Sequence, residues 1–273
     1  MKTLLVTTLS TLLASGPAWA ALRYETELEI VREDKTKILR EKVTAAGDRA
    51  RIDFLNADGS NDGSYLVTND GGKTLAIHDG SRSICATWDT AEFFKTAGQV
   101  LEKGKRTFNA DITSVERVLV DEETGPDLLG FPTRHLSLRT NYSAEASVLF
   151  IKFMFSVEEI DQVWMTDGIE MPAIESQWLN AGTQTGSEFI NEHASKWNQF
   201  VDQPVLKHTN TVTVTNVKSG KAFSKVENFK VTLLEEVADA DLHPDYFSLP
   251  NCQKVSSKEM KKEAERMLKK YIK

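Results

Sequence analysis

The sequence lacks the residue patterns of the common enzyme classes. It contains no Gly-x-Ser-x-Gly, His-Glu-x-x-His or Cys-x-x-Cys motif and no phosphate-binding glycine loop. Its five histidines are scattered along the chain, at positions 78, 135, 193, 208 and 243. Neither of the two cysteines has another Cys or His nearby at ligand spacing, so no zinc site is expected. These absences predict a non-catalytic protein without a metal or other cofactor.

Long apolar runs are also scarce. The longest, residues 4–13, follows Lys2 and precedes Ala18-Trp19-Ala20. It is about ten residues long, whereas a membrane-spanning helix needs roughly twenty. A positive start, a short apolar run and a small-x-small pattern are typical of a bacterial secretory signal peptide. We expect cleavage after Ala20, and a soluble periplasmic protein that carries no lipid because Ala21 is not a cysteine.

Acidic residues outnumber basic ones, and the two signs are unevenly distributed. Residues 21–253 hold 24 basic and 37 acidic side chains, a balance of −13. Residues 254–273 hold eight Lys or Arg and three Glu, a balance of +5. An acidic body argues against nucleic acid as the main partner, because phosphates are bound by basic surfaces.

Cys85 and Cys252 are an even pair of cysteines in an exported chain. An oxidising compartment favours a disulfide between them, and two buried free thiols are the alternative. A bridge would close most of the chain into one loop, which is worth on the order of 5 kcal/mol in the chain-entropy model.

Alternating apolar and polar residues are the dominant pattern, and they predict β-strands. Short strands are separated by turn sequences such as Gly47-Asp48, Asp70-Gly71-Gly72 and Asp79-Gly80, which is typical of an antiparallel meander. Helical spacing appears twice, at residues 89–103 and 187–200. The pattern predicts one mainly antiparallel α+β domain over residues 21–253, with about ten or eleven strands and two packing helices.

Two segments depart from clean alternation. Residues 148–155 are apolar on both faces apart from Lys152, which favours a central core strand covered on both sides. Glu158 and Asp161 have opposite parity and therefore point to opposite faces of a regular strand. We interpret this acidic stretch as a solvated strand edge. His193, on the second helix, is interpreted as a partly buried structural histidine.

Residues 254–273 form a separate basic segment with helical periodicity. Its apolar stripe is expected to pack on the acidic body. Contact with anionic lipid head groups or with an envelope protein is the alternative.

Three short motifs resemble the LolA/LolB superfamily of periplasmic lipoprotein carriers, and chiefly its uncharacterised exported domains. Gly130-Phe131-Pro132-Thr133-Arg134-His135-Leu136 resembles a turn into a strand of that family. Gln162-Val163-Trp164-Met165-Thr166 resembles a later strand that carries a tryptophan. Asp245-Tyr246-Phe247-Ser248-Leu249-Pro250 resembles the closing segment. The likeness extends from Leu22 to about Cys252.

The resemblance implies an unclosed half-barrel wrapped round helices, with an apolar cavity that takes a lipid or a lipoprotein acyl chain. Such binding requires apolar area and no catalytic group. The residues predicted to line the cavity are Phe93, Phe94, Leu149, Ile151, Phe153, Phe155, Trp164, Phe189 and Trp197. Ordinary core packing is the alternative for each of them.

Two other functions remain open. The same fold with a filled core would be a protein-interaction or envelope-sensor module, which an exposed apolar patch would favour. A polar cleft that gathers carboxylates or histidines would favour an enzyme.

Overall fold

The structure is a computed structural model. It describes residues 21–259 and 262, apart from 34, 57, 81–83, 108–109, 114, 149–150, 239–241, 244, 255 and 257. The predicted signal peptide (residues 1–20), Leu149 and most of the predicted C-terminal helix lie outside the described residues, as does the side chain of Ile151.

Thirteen strands and three helices are described. The strands are β1 (Ala21–Arg32), β2 (Lys35–Ala46), β3 (Arg49–Leu55), β4 (Asn61–Thr68), β5 (Thr74–Asp79), β6 (Ile84–Asp89), β7 (Asp111–Ile112), β8 (Glu116–Thr124), β9 (Arg134–Val148), β10 (Ile151–Met165), β11 (Val205–Asn216), β12 (Ala222–Val237) and β13 (Gln253–Lys254). The helices are α1 (Thr90–Thr107), α2 (Ala173–Gly182) and α3 (Glu188–Asn198).

All the strands belong to one sheet. Its order is β13-β6-β5-β4-β3-β2-β1-β12-β11-β10-β9-β7, and β8 also pairs with β9. Every pairing is antiparallel except that of the short β13 with β6. In the described part of the chain the two edges of the sheet do not meet, so the barrel is unclosed. The predicted fold class, a mainly antiparallel half-barrel with helices, is confirmed.

The inner face of β1–β5 packs against α2. Strand register places Tyr24 opposite Val43 and Val43 opposite Ile52, so that these side chains lie side by side. They form a buried cluster with Ile174, against which Trp178 of α2 also packs. Each large apolar side chain buried in this way contributes about 1.5–3 kcal/mol. This contact holds α2 over the concave side of the sheet.

The outer face of the same strands is covered by the segment before β13. Val67 and Ala76, which are fully buried, pack against Phe247, while Tyr246 and Cys252 flank the cluster. Cys252 forms a disulfide with Cys85 of β6, with 4.9 Å between the two Cα atoms. The predicted disulfide is confirmed, and it ties the closing segment to the edge of the sheet.

Two sequence interpretations fail around β9 and β10. The predicted core strand over residues 148–155 spans the end of β9 and the start of β10, so its apolar run belongs to two arms of a hairpin. Phe153 and Met154 are exposed, by 36% and 49%, and the interpretation of a covered core strand is wrong. The acidic stretch is not a solvated edge either, because Glu159 and Asp161 are only 8% and 1% exposed.

The helices pack closely against one another and the sheet. Gly98 of α1 faces the backbone of Thr185, and a Cβ at that position would lie 2.2 Å from the Thr185 carbonyl oxygen. Glycine is therefore required for this approach. Among the described residues, no helix is both long and apolar enough to span a bilayer.

Candidate functional site

A cavity of about 500 Å³ lies between the concave face of the sheet and helices α2 and α3. Its volume is within the range of pockets that hold small molecules. Strands β1–β3 and β12 supply one wall, and the two helices with the residues that flank them supply the other. Its apolar and aromatic lining comprises Tyr24, Val43, Ile52, Met171, Ile174, Trp178, Leu179, Ala194, Trp197, Val201, Val205, Phe229 and Val231.

A larger cleft of about 970 Å³ opens at the end of the sheet, beside the start of α2. Its wall carries four acidic side chains, Asp48, Asp70, Asp167 and Glu170, and one lysine, Lys73. Its remaining lining mixes polar and apolar residues, so it offers a ligand less apolar area than the smaller cavity does. The smaller cavity is therefore the better candidate for binding an apolar molecule.

The residues that were predicted to line one cavity lie in different parts of the structure. Of those with described side chains, Trp197 lines this cavity and the others do not. Phe93 and Phe94 lie on α1, where the Phe93 ring stacks on Trp88. Phe189, on α3, contacts the ring of Tyr142.

The predicted residues on β10 lie on different faces of the strand. Phe153 and Phe155 share the parity of the buried Val157 and so belong to the inner face, near the hairpin. Trp164 has the opposite parity and lies on the outer face, where it is stacked between His135 and the Lys207 ammonium. Trp164 and Phe155 therefore cannot line the same cavity.

Many cavity residues were not predicted from the sequence, and four of them are used below to interpret the cavity. They are Tyr24, Glu41, Glu175 and Trp178. Glu41 shares strand parity with Val43, so an acid on the apolar face of β2 was the available signal. Glu175 and Trp178 lie on α2, whose helix was not predicted.

Beside the cavity, a buried polar network is centred on Arg117. The Arg117 side chain is 1% exposed, and its Nη2 atom lies 3.6 Å from carboxylate oxygens of both Glu159 and Asp161. Its Nε donates to Thr140 Oγ1 at 2.6 Å. The same Nη2 lies 3.2 Å from Nε2 of His193, which is therefore the acceptor nitrogen of that ring. The network thus joins β8, β9 and β10 to helix α3.

The network holds its charged groups by mutual pairing. Burial raises the pKa of Glu159, whose carboxylate accepts a hydrogen bond from Tyr142 at 3.0 Å. Burial acts in the same direction on Asp161, but hydrogen bonds from His208 and Asn210 outweigh it and lower its pKa. The network gathers carboxylates and histidines, and each of these residues has a partner within it, although Oδ2 of Asp161 and Nδ1 of His193 are buried without a hydrogen bond. This mutual pairing favours a structural role.

His193 gives the network a specific dependence on pH. Burial and the neighbouring Arg117 charge lower its pKa to about 4, whereas Asp161 and Glu192 oppose the shift. The unfolded chain takes up this proton near pH 6.5 and the folded protein does not. Stability is therefore lost as pH falls from about 6.5 to about 4.

We expect His193→Gln to remove this pH-dependent loss. Between pH 7 and pH 4, the free energy of unfolding should fall more in the wild-type protein than in the variant. The difference should be on the order of 2 kcal/mol, a figure that allows for the partial exposure of the ring. Urea unfolding at pH 7, 5 and 4 measures the difference. Parallel stability curves for the two proteins would contradict the prediction, because other groups titrate in both.

No family model and no curated protein matches the chain. The LolA superfamily protein NE2245 from Nitrosomonas europaea matches 84% of this chain and 92% of its own, at 10% identity and a TM-score of 0.28. A putative outer membrane lipoprotein-sorting protein domain from Vibrio parahaemolyticus matches 85% and 91%, at 9% identity and 0.32. PNGF-II matches 89% of this chain and 33% of its own, at 14% identity and 0.34.

The resemblance to LolA-type proteins inferred from sequence recurs among these structures. TM-scores of 0.28 to 0.34 describe loose superpositions. They carry no inference about a ligand or a reaction.

Proposed function

We propose that this protein binds a hydrophobic or amphiphilic ligand, such as a lipid or the acyl chain of a lipidated protein, in the cavity between the sheet and helices α2 and α3. Binding is non-catalytic, and the protein acts in the periplasm after cleavage of residues 1–20. The observation that carries the proposal is the predominantly apolar lining of a cavity of about 500 Å³. The alternative with a filled core is disfavoured by the same cavity.

The physical basis of binding is the removal of apolar surface from water. Apolar area buried in such a site contributes about 25 cal/mol per Å², and no reactive group is needed. Aromatic walls from Trp178 and Trp197 add large contact areas at little conformational cost. Release then requires a partner or a membrane that offers the apolar chain an equally dry environment.

Filling the cavity tests the proposal. Ala194 of α3 lines the cavity, and Ala194→Phe places a ring in the space that the ligand would occupy. We expect the variant to bind Nile red, a neutral apolar dye, about tenfold more weakly than wild type, which corresponds to about 1.4 kcal/mol. Fluorescence titration measures this affinity.

Ala91→Phe is the matched control, because Ala91 lies exposed on α1. Equal dye binding by the wild-type protein and both variants would overturn the proposal. Native mass spectrometry of protein purified gently from the periplasm, combined with organic extraction, is expected to reveal a bound lipid in the wild type and less of it in Ala194→Phe.

A further inference from the structure

The cavity has an uneven distribution of charge. Two carboxyl groups, those of Glu41 on β2 and Glu175 on α2, belong to its lining. Among the lining residues that the structure describes there is no lysine or arginine. An apolar pocket that displays acidic groups and no lysine or arginine attracts cations and repels anions.

The two carboxyl groups lack cationic partners in the described part of the chain. Burial raises the pKa of Glu41, and no neighbouring charge or hydrogen bond contributes to that shift. Burial also raises the pKa of Glu175, which accepts a hydrogen bond from the Tyr24 hydroxyl. The Tyr24 hydroxyl contacts Glu175, and Glu41 lies opposite Thr26 on the strand that pairs with β1, two residues along from the Tyr24 pair. The three groups are therefore neighbours at one end of the cavity, and both acids raise the pKa of Tyr24. A carboxylate buried without a compensating partner is costly, and a cationic ligand would supply that partner.

Aromatic rings line the same cavity as these carboxyl groups. Tyr24, Trp178, Trp197 and Phe229 line the same cavity. The negative faces of aromatic rings attract ammonium ions, and together with carboxylates they are the usual means of binding a quaternary nitrogen. Cation–π contacts of this kind already occur next to the cavity, where the Arg117 guanidinium lies 5.2 Å from the Trp197 ring centre.

The buried network behind Trp197 does not reverse this preference. Arg117 is its cation, and it faces two acids, Glu159 and Asp161. His193, which also lines the cavity, is neutral at pH 7 because its pKa is lowered to about 4. The cavity and its immediate surroundings therefore carry more acidic than basic groups.

We propose that the cavity selects amphiphiles that carry an ammonium group on an apolar chain, with Glu41, Glu175 and the ring of Tyr24 receiving the nitrogen. This inference rests on the proposed function, since it assigns a headgroup class to the ligand of the same cavity. The apolar chain lies along Val43, Ile52 and the tryptophans, and the ammonium lies at the acidic end. Anionic amphiphiles, such as free fatty acids, are excluded by the same two carboxylates.

A series of ligands with one chain and different headgroups tests the proposal. Decyltrimethylammonium, decan-1-ol and decanoate, each below its micelle concentration at pH 7.5, compete with Nile red for the wild-type protein. We expect the ammonium compound to displace the dye at about tenfold lower concentration than the alcohol, and decanoate to be the weakest. Tetramethylammonium, which has the headgroup alone, is expected not to displace it, whereas displacement would show that the cation is bound without an apolar chain and overturn the amphiphile assignment.

Two variants locate the selectivity. In the double variant Glu41→Gln with Glu175→Gln we expect the affinity for decyltrimethylammonium, divided by the affinity for decan-1-ol, to fall about tenfold. Glu158→Gln is the matched control, because the Glu158 side chain is 48% exposed on the outer face of β10. Thermal unfolding checks that each variant is folded.

The possible results separate this inference from the proposed function. If decan-1-ol displaces the dye and the ammonium compound is no better, or if its advantage survives in the double variant, the headgroup assignment is overturned while the apolar site stands. If no member of the series displaces the dye and Ala194→Phe has no effect, the site itself is wrong.

Discussion

Replacing Arg117 with methionine is expected to lower the free energy of unfolding by about 3–5 kcal/mol, because it leaves two buried carboxylates without their cation. Glu159 and Asp161 are 8% and 1% exposed, and both lie 3.6 Å from the guanidinium. Methionine fills a similar volume, so the loss reports charge rather than a cavity. Urea unfolding at pH 7 measures it.

The control for this substitution is Arg139→Met. Arg139 pairs with Glu158 at 3.6 Å, but both side chains are 48% exposed. Exposed pairs contribute about 0–1 kcal/mol, so this variant should be nearly neutral. A third variant, which combines Arg117→Met with Glu159→Gln and Asp161→Asn, should recover part of the loss, because it removes the unpaired charges. Equal losses from Arg117→Met and Arg139→Met would contradict the assigned role of the network.

The Arg117 network was not predicted from the sequence. The parity of Glu158 and Asp161 correctly predicts that they lie on opposite faces of the strand. Glu159 and Asp161 share parity with the buried Val157 and Val163, and this shared parity is the signal for a buried acidic pair. Two acids on the apolar face of a strand indicate a buried basic partner. That partner is Arg117, which lies 42 positions before Glu159 in the chain. Arg117 lies opposite Thr140 because β8 pairs with β9, and this pairing is not visible in either strand alone.

The fold could be predicted from the sequence more fully than the site could. Period-two alternation depends on each strand alone, so the mainly antiparallel sheet could be predicted without knowing its strand order. The β9–β10 hairpin was hidden because apolar residues continue from Val148 to Ile151 across it. Helix α2 was not predicted, because Pro172 occupies its N-cap position and no side chain caps its N-terminus. Turn and cap residues are the local signals of such boundaries, and here they are missing.

The cavity depends on contacts that alternation cannot supply. Tyr24 and Val43 come from adjacent strands, whereas Trp178 and Trp197 come from two helices far along the chain. Phe93, Phe153 and Phe189 have the same apolar chemistry, yet the topology places them elsewhere. Aromatic composition therefore predicts that a core or pocket exists, and tertiary structure decides which rings share it.

Removing the disulfide is the second change for which we expect a large effect. The bridge joins residues 167 positions apart, so it restricts the unfolded chain strongly. In the chain-entropy model a loop of this size is worth about 5 kcal/mol, and removing native disulfides typically costs about 2–5 kcal/mol. We expect Cys85→Ala combined with Cys252→Ala to lower the free energy of unfolding within that range, as measured by urea unfolding without reductant.

The folded state of the variant should nevertheless keep its closing segment. Phe247 remains buried against Val67 and Ala76. The Tyr246 hydroxyl lies 3.2 Å from the Thr44 hydroxyl, and the Arg51 guanidinium lies 5.0 Å from the centre of the Tyr246 ring. These contacts are independent of the bridge, so the cost falls mainly on the unfolded ensemble. Dithiothreitol should therefore destabilise the wild-type protein to the level of the double variant and leave the variant unchanged. A loss below about 1 kcal/mol in both comparisons would mean that loop closure contributes little, against the entropic account of this bridge.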